Sequence, residues 1–234
     1  MKLIFIVVAA GKGERFNSKI NKLLYNYNSK PLISYTLKNI SKSNLVNEII
    51  LVVRKEEIKK FKKIVAKYKF KKVSAIIEGG EKRQDSVYNA LLWLEKKYKT
   101  NNFFVAIHDG ARINVKPNLI KKIYYQALKY NAAVPAIKVS DTVKEIDNKN
   151  FITKTLNREK IVLVQTPQIF KFDLILNLYK KAMNEKFYST DDSAILEKFN
   201  KKVKIVEGDF DNIKITFKED LKRLKWKIFF LITI

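Results

Sequence analysis

Uninterrupted apolar runs alternate with amphipathic stretches through the first half of the chain. The apolar runs lie within residues 2–8, 48–53, 73–77 and 103–107. Between the first two runs, apolar residues recur at helical spacing, as at Ile33, Leu37 and Ile40. An all-apolar strand is typical of a parallel sheet that is covered on both faces. The pattern therefore predicts an α/β fold with a mostly parallel mixed sheet, flanking helices and ligands at the carboxyl ends of the strands.

The regular alternation ends after a strand predicted at 132–139. Two short alternating runs at 142–146 and 151–155 then predict a β-hairpin. Because an isolated two-stranded hairpin is marginally stable in water, we expect this arm, at about residues 139–160, to pack on a second subunit. The chain returns with a strand at 162–164, a turn at 165–168, helices at 173–183 and 191–199, and a strand at 203–206. No linker or repeat divides the sequence, which predicts a single domain over residues 1–234 that carries the arm.

The first apolar run ends in a small, basic loop. Its sequence is Ala9-Ala10-Gly11-Lys12-Gly13-Glu14-Arg15-Phe16, and Lys22 follows six residues later. Gly11 and Gly13 lack a Cβ, so backbone N–H groups can approach an anion closely, while Arg15 and Lys22 add positive charge. The loop thus predicts a phosphate site, although a plain strand-to-helix turn has the same glycine pattern. The spacing excludes a Walker loop, and Phe16 stands where a dinucleotide fingerprint needs its third glycine.

The composition is strongly basic. The chain carries 48 Lys and Arg residues against 23 Asp and Glu, a formal net charge of +25. Such a charge attracts nucleic acid. Only six of the basic residues are Arg, however, and the Lys residues are spread along almost every predicted helix, which is typical of a solvated surface rather than a dedicated binding stripe. The charge pattern therefore argues against a specific nucleic-acid partner, and a basic nucleic-acid-binding module is kept as the alternative from another functional class.

Cysteine usage and the two termini bear on the compartment. The absence of Cys excludes disulfides and thiolate metal sites and fits a reducing compartment. The loop chemistry begins by Ala9, too early for a cleaved signal peptide. The apolar tail at 228–234 is shorter than the ~20 residues that span a bilayer, and we interpret it as a packed or frayed terminus. We therefore expect a mature, soluble protein with no membrane partner.

Four loops should meet at one edge of the sheet if the strands are parallel. They are the basic glycine loop, Gly79-Gly80 with Ser86, Asp109 with Arg112, and Asp211 with Lys214. Cations around a carboxylate suit transfer at a polyphosphate, because charge develops on the phosphoryl oxygens and Mg²⁺ needs a carboxylate ligand. Solvated loop charges would give the same sequence pattern. The only His, His108, ends a predicted buried strand, and we expect a structural role for it.

Several short motifs occur together in a recognisable order and spacing. They are Ala9–Phe16, Gly79-Gly80-x-x-Arg83-x-Asp85-Ser86, His108-Asp109-Gly110-Ala111-Arg112, Asp141-Thr142, Arg158, Thr166-Pro167-Gln168, Thr190-Asp191-Asp192 and Asp211-Asn212-Ile213-Lys214. Each motif is weak alone, but their joint order is specific and covers nearly the whole length. In these motifs the chain resembles the 4-diphosphocytidyl-2-C-methyl-D-erythritol synthases, the cytidylyltransferases of the non-mevalonate isoprenoid pathway.

The resemblance implies a Rossmann-like nucleotidyltransferase fold and a reaction that converts CTP and 2-C-methyl-D-erythritol 4-phosphate into 4-diphosphocytidyl-2-C-methyl-D-erythritol and pyrophosphate. The implied nucleotide-binding residues are Ala10, Gly11, Gly13, Gly79, Gly80 and Ser86, and the implied catalytic cations are Arg15, Lys22 and Lys214. Asp109, with help from Asp211, would hold Mg²⁺. Further contacts to the sugar phosphate would come from Arg112, Thr166 and Thr190 and, across a homodimer interface, from Thr142 and Arg158 on the arm.

Alternatives and departures accompany this resemblance. The sister enzyme that makes CDP-ribitol from ribitol 5-phosphate shares the fold, CTP and most motifs, so it stays an alternative. The resemblance also implies a bacterial cytoplasm or, in a eukaryote, the plastid stroma. Asn21 and Ile113 stand where the family places proline, and we expect these two changes to loosen their loops without removing a charged group.

Overall fold

A computed structural model of the chain describes residues 1–11, 13–16 and 21–222. Its strands are β1 (Leu3–Val8), β2 (Asn26–Tyr27), β3 (Lys30–Pro31), β4 (Val46–Val53), β5 (Val73–Glu78), β6 (Phe104–Asp109), β7 (Ala132–Lys138), β8 (Val143–Ile146), β9 (Ile152–Leu156), β10 (Val162–Val164), β11 (Gln168–Lys171) and β12 (Lys204–Glu207). Its α-helices are α1 (Leu32–Ser41), α2 (Ile58–Lys67), α3 (Arg83–Lys97), α4 (Pro117–Tyr130), α5 (Phe172–Asn184) and α6 (Ser193–Lys198). Short 3-10 turns lie at Glu14–Phe16, Lys22–Leu24, Lys55–Glu57 and Arg158–Lys160.

The main sheet has eight strands within the described residues, in the order β10, β7, β11, β6, β1, β4 and β5, with β12 paired to β7. Strands β5, β4, β1 and β6 are parallel, so their carboxyl ends share one edge. Strand β11 runs antiparallel to both β6 and β7, and β10 runs antiparallel to β7, whereas β12 is parallel to β7. The prediction of a mostly parallel mixed sheet flanked by helices is confirmed. Strand β11 was not predicted.

The apolar strands are buried because the helices cover both faces of the sheet. Successive residues of β1 point to opposite faces, so Phe5 and Val7 belong to one core cluster while Ile4 and Ile6 belong to the other. The first cluster includes residues of α1, α2 and α4, and the second includes residues of α3, α5 and α6. Polar residues are absent from the middle of β1 because neither face meets water.

The arm forms the predicted hairpin. Strands β8 and β9 pair antiparallel with each other, and in the described part of the chain they join no other strand. Three large apolar side chains on the hairpin are exposed, Ile146 to 55%, Phe151 to 67% and Ile152 to 65%. The hairpin prediction is therefore confirmed, and a partner surface for it stays a prediction.

Two predictions fall outside the described residues, the packing of the tail at 228–234 and the position of Lys12 in the glycine loop. None of the helices formed by the described residues combines the length and the apolar character that crossing a membrane requires.

Candidate active site

A cavity of about 920 Å³ lies at the carboxyl ends of β1, β4, β5 and β6. Its walls include every residue that the sequence predicts to be catalytic or nucleotide-binding, namely Ala10, Gly11, Gly13, Arg15, Lys22, Gly79, Gly80, Ser86 and Lys214, together with Asp109. Seven cationic and four carboxylate side chains among the described residues line it, which leaves a surplus of three positive charges. The cavity therefore suits a polyanionic ligand.

The basic glycine loop keeps its shape through one special glycine and one buried aromatic ring. Gly13 has a φ of +70°, a conformation that costs other residues a steric clash but costs glycine none. Its carbonyl accepts a hydrogen bond from the Phe16 N–H at 2.8 Å. Phe16 is 1% exposed and packs edge-on against Tyr25, with ring centroids 5.4 Å apart. Phe16 thus anchors the loop at the position where a dinucleotide fingerprint would have glycine.

Gly79 and Gly80 lie against the glycine loop and before the N-terminus of α3. A Cβ on Gly79 would lie 2.7 Å from both the Ala10 Cβ and the Ser86 Oγ, so only glycine allows this approach. The Ser86 hydroxyl accepts a hydrogen bond from the Gly80 N–H at 3.1 Å and donates to the Lys82 carbonyl at 3.1 Å. Ser86 is therefore engaged in shaping this loop as well as lining the cavity.

Asp109 is the carboxylate at the centre of the site. Its Oδ1 accepts from Arg83 Nε at 3.1 Å and its Oδ2 accepts from Lys214 Nζ at 2.8 Å, while 11% of its side chain is exposed. Burial alone would raise the pKa of Asp109, but Arg83 and Lys214 more than offset that effect and hold the pKa well below its usual range. Asp109 is consequently ionised at any physiological pH.

Arg83 ties Asp109 to a second buried carboxylate. Its Nη1 and Nη2 donate to the two oxygens of Asp192 at 3.1 and 2.7 Å, and the Tyr179 hydroxyl donates to Asp192 Oδ1 at 2.5 Å. Asp192 is fully buried. Burial opposes the charge of Arg83, but the two carboxylates raise its pKa well above the ordinary value. The sequence places Arg83 and Asp192 in separate motifs, and only the fold shows that the two side chains pair.

His108 and Thr166 support Asp109 from beneath the cavity. The Asp109 N–H donates to Thr166 Oγ1 at 3.0 Å, Thr166 Oγ1 lies 3.1 Å from His108 Nδ1, and His108 Nε2 lies 3.1 Å from the Arg112 carbonyl. Because a carbonyl only accepts, Nε2 carries the proton and Nδ1 accepts from the Thr166 hydroxyl. Burial lowers the pKa of His108 to about 4. His108 has the expected structural role. The Thr166 hydroxyl is engaged by Asp109 and His108 and 5% of the residue is exposed, so its contact with substrate stays a prediction.

Lys22 connects the glycine loop to the segment that carries Lys214. Its Nζ donates to the Ile215 carbonyl at 2.8 Å. Burial and, after it, the neighbouring charge of Lys214 lower the pKa of Lys22. The charge of Lys214 disfavours the charged form of Lys22, so an anion that binds both ammonium groups would be bound favourably.

The other predicted site residues do not line the cavity. Asp211 forms an ion pair with Lys116 at 3.0 Å, and Lys116 also binds Asp209 at 2.8 Å. Asp211 is thus held by Lys116 away from the cavity wall, and its help to Asp109 in holding Mg²⁺ stays a prediction. Arg112 donates from Nη1 to the Asn212 carbonyl at 2.7 Å. Three predicted substrate contacts, Thr142, Arg158 and Thr190, are exposed, and Arg158 Nη1 donates to the Ser140 carbonyl at 2.5 Å.

Four charged residues of the cavity wall were not predicted from the sequence. Arg54, Lys55 and Glu56 follow β4 directly, and Lys82 precedes α3. The rule that ligands gather at the carboxyl ends of parallel strands would have found the first three, because β4 was predicted.

Fold and cavity together define a class of protein. A mostly parallel α/β sheet whose carboxyl edge carries a glycine loop, surplus cations and a central carboxylate is typical of a nucleotide-binding transferase. The family model of 2-C-methyl-D-erythritol 4-phosphate cytidylyltransferase matches residues 3–228. The chain belongs to this family and is a nucleotidyltransferase.

Individual relatives agree with this assignment. The 2-C-methyl-D-erythritol 4-phosphate cytidylyltransferase of Clostridium novyi is 42% identical over 217 residues, which cover 92% of each chain. Among solved structures, the 4-diphosphocytidyl-2C-methyl-D-erythritol synthase of Anaerococcus prevotii is similar with a TM-score of 0.82 and 32% identity, over 97% of this chain and 98% of that one. The 2-C-methyl-D-erythritol 4-phosphate cytidylyltransferase of Francisella tularensis also reaches 0.82, at 30% identity over 97% and 100% of the two chains. The resemblance is confirmed, and a nucleic-acid-binding module is set aside.

Proposed function

We propose that this cavity binds CTP and that the enzyme transfers its cytidylyl group to 2-C-methyl-D-erythritol 4-phosphate, with release of pyrophosphate. The observation that carries the proposal is the ionised Asp109 between Arg83 and Lys214, in a cavity with a surplus of positive charge. The family and its named relatives supply the identity of the substrates.

The cations would act on the triphosphate. An acceptor phosphate oxygen forms a bond to the α-phosphorus, the bond from that phosphorus to the bridging oxygen breaks, and pyrophosphate leaves with the electron pair. Negative charge grows on the α-phosphoryl and leaving oxygens, and Arg15, Lys22 and Lys214 are the lining cations that would stabilise it. The acceptor phosphate is already ionised, so no general base is needed and the enzyme acts mainly by positioning.

The base would lie against Gly79 and Gly80. These two residues present backbone without side chains at the cavity wall, beside Ala10. Short backbone contacts can read the edge of a pyrimidine while leaving too little room for a purine. The Gly80 N–H is already bound to Ser86, so its carbonyl is the group available to the base.

Asp109 is the residue that would hold Mg²⁺. No group of three or more His, Cys, Asp or Glu side chains in the described ranges could hold a metal ion by itself. Mg²⁺ is commonly bound by one or two carboxylates together with substrate phosphates, and a single ionised Asp109 fits that arrangement. When bound, the ion would neutralise charge on the phosphate oxygens. Asp211, paired with Lys116, would at most assist.

The acceptor is tested by pyrophosphate release with CTP and either 2-C-methyl-D-erythritol 4-phosphate or ribitol 5-phosphate. We expect turnover with the first acceptor and a kcat/KM at least about 10-fold lower with the second, because ribitol 5-phosphate has a longer chain and lacks the methyl branch. UTP and ATP in place of CTP serve as controls for the base. Turnover with ribitol 5-phosphate but not with 2-C-methyl-D-erythritol 4-phosphate would contradict the proposed acceptor.

We further propose that the arm completes the acceptor site of a second subunit. The exposed apolar residues Ile146, Phe151 and Ile152 support this, because exposing large apolar side chains to water is unfavourable and such surfaces commonly bind another protein. Thr142 and Arg158 are on or beside the same arm and are exposed, with no place on the cavity wall of their own subunit.

Subunit exchange between two inactive variants tests the arm. If Arg158 serves the partner's site, a heterodimer of Lys22→Ala and Arg158→Ala chains contains one site with both residues intact. Mixing the two variants should then restore activity that neither has alone. Activity that stays at the level of the parents after verified exchange would show that Arg158 acts within its own subunit or not at all.

A further inference from the structure

Asn21, directly before Lys22, has a buried side chain that is fully engaged in hydrogen bonds. It is 1% exposed. Its Nδ2 donates to the Ala9 carbonyl at 3.0 Å and to Glu57 Oε2 at 2.8 Å, and its Oδ1 accepts from the Leu23 N–H at 3.0 Å. Two acceptors on one side and a donor on the other fix the orientation of the amide.

Glu57 is itself held in place by an arginine of the cavity wall. The residue is 3% exposed, and its carboxylate accepts from Arg54 Nε at 3.2 Å and from Arg54 Nη2 at 2.7 Å. A buried carboxylate that accepts two hydrogen bonds from one arginine is held rigidly, because rotation of either side chain would break those hydrogen bonds and leave a buried charge unpaired. The Asn21 amide therefore donates to a carboxylate, that of Glu57, whose position is fixed.

The three hydrogen bonds of Asn21 join two parts of the site. Ala9 follows β1 and leads into the glycine loop, whereas Leu23 belongs to the 3-10 turn Lys22–Leu24. Lys22, the first residue of that turn, reaches the Ile215 carbonyl beside Lys214. Asn21 thus fastens the turn that carries Lys22 to the strand that carries the glycine loop.

We propose that Asn21 is a positioning residue, which together with Glu57 and Arg54 sets the location of the Lys22 ammonium relative to the glycine loop. The proposal rests on the catalytic role proposed for Lys22. Proline, which the family places here, has no side-chain donor and could make neither the Ala9 nor the Glu57 bond. The structure therefore corrects the expectation that Asn21 loosens this loop, since side-chain hydrogen bonds take the place of a rigid ring.

A polarity swap between the two partners tests the proposal. Asn21→Asp keeps the oxygen that accepts from Leu23 but sets a second carboxylate against Glu57. Adding Glu57→Gln restores a donor between the two residues and leaves an oxygen for Arg54, with the original net charge. The control is Asn47→Asp, the same chemical change at the other end of the sheet, where Asn47 Oδ1 accepts from the Leu3 N–H.

We expect Asn21→Asp to lower kcat roughly 10- to 100-fold, as a displaced catalytic group does, with a much smaller change in the KM for CTP. The double variant should recover part of kcat, because it restores the hydrogen bond between positions 21 and 57 but not the one to the Ala9 carbonyl. Asn47→Asp should stay close to wild type. A wild-type kcat in Asn21→Asp with a lowered melting temperature would reduce Asn21 to a stabilising residue and overturn the proposal. So would a double variant no better than Asn21→Asp.

Two further measurements keep the outcome decisive. If Asn21→Asp does not fold, Asn21→Ser gives the same readout, because a serine oxygen can still cap Leu23 but cannot reach Glu57. Lys22→Ala is assayed in parallel. A wild-type kcat in Lys22→Ala would refute the catalytic role of Lys22 and the role of Asn21 with it, but not the transfer reaction itself, which the acceptor assay tests. An impaired Lys22→Ala beside an unimpaired Asn21→Ser would refute the role of Asn21 alone.

Discussion

Each end of the parallel sheet holds one carboxylate surrounded by donors. At the amino end, Glu48 accepts from Lys2 at 2.9 Å and Lys97 at 2.5 Å, and also from Tyr98 and Ser74. At the carboxyl end, Asp109 accepts from Arg83 and Lys214. Both carboxylates have a lowered pKa although burial acts against it in each case, and that of Glu48 falls to about 2. By charge and hydrogen bonding alone the two clusters look alike.

The surroundings of the two carboxylates differ. No residue of the Glu48 cluster lines the described cavity. Exposure of the lysines does not separate the two clusters, because Lys2 and Lys214 are both 39% exposed at the side chain. Asp109 instead faces a cavity where cations outnumber carboxylates. A set of paired charges is therefore a poor indicator of a site. What distinguishes the site is positive charge left over after the protein's own carboxylates are paired, in a space that a ligand can enter.

The largest expected effect comes from removing Lys214 at the carboxyl end, with removal of Lys97 at the amino end as the control. Lys214→Ala should lower kcat about 100- to 1,000-fold, as loss of one preorganised donor to a developing charge does, and should weaken CTP binding by less. Lys97→Ala removes the corresponding partner of a carboxylate, at 2.5 Å from Glu48, and should leave kcat within about twofold of wild type because Lys97 does not line the cavity. Steady-state kinetics of both variants check this. Equal losses would contradict the distinction between the two ends.

The sequence predicted the half of the molecule in which local pattern decides structure. Strands β1, β4, β5 and β6 are apolar throughout their middles, and a parallel arrangement then brings their following loops to one edge. Strand β11 is not predicted because Pro167, directly before it, indicates a turn, whereas the strand forms by antiparallel pairing with β6 and β7. For the same reason Gln168 was predicted to lie in a turn.

Within the site, the sequence placed residues on the right loops but could not give the direction of their side chains. Lys214 and Asp211 lie three residues apart on one segment, yet Lys214 reaches Asp109 while Asp211 pairs with Lys116. The resemblance implies a contact of Thr166 with the substrate, and only the fold shows that its hydroxyl also accepts from the Asp109 N–H. Ile113, expected to loosen its loop, is 3% exposed and its carbonyl accepts from Asn39 at 2.8 Å. Such choices depend on neighbours that only the fold supplies.

The next largest effect is on the pH dependence of stability, through His108 at the carboxyl end of the sheet. His108 is buried and neutral, with a pKa near 4 against 6.5 in an unfolded chain. Below pH 6.5 the unfolded state binds a proton that the folded state does not, so stability should fall with pH until about pH 4, by about 3 kcal/mol in all. His108→Gln, which lacks the titration, should show a flatter dependence between pH 6.5 and 4.5. Unfolding by denaturant across this range measures it, and identical slopes for variant and wild type would exclude His108 as the source.

The smallest effect is expected at Glu48, in a lower pH window. Hydrogen bonds from its donors outweigh burial and lower its pKa to about 2, so its contribution to stability is present above pH 4.5 and is lost as pH falls toward 2. Because its lysine partners are solvent-screened, Glu48→Gln should cost only about 1 kcal/mol at pH 7, with kcat unchanged. Denaturant titrations at pH 7 and pH 3, paired with the kinetic assay, test both parts. A fall in kcat would mean that the amino end of the sheet is coupled to the site, because Glu48 has no other route to a ligand bound around Asp109.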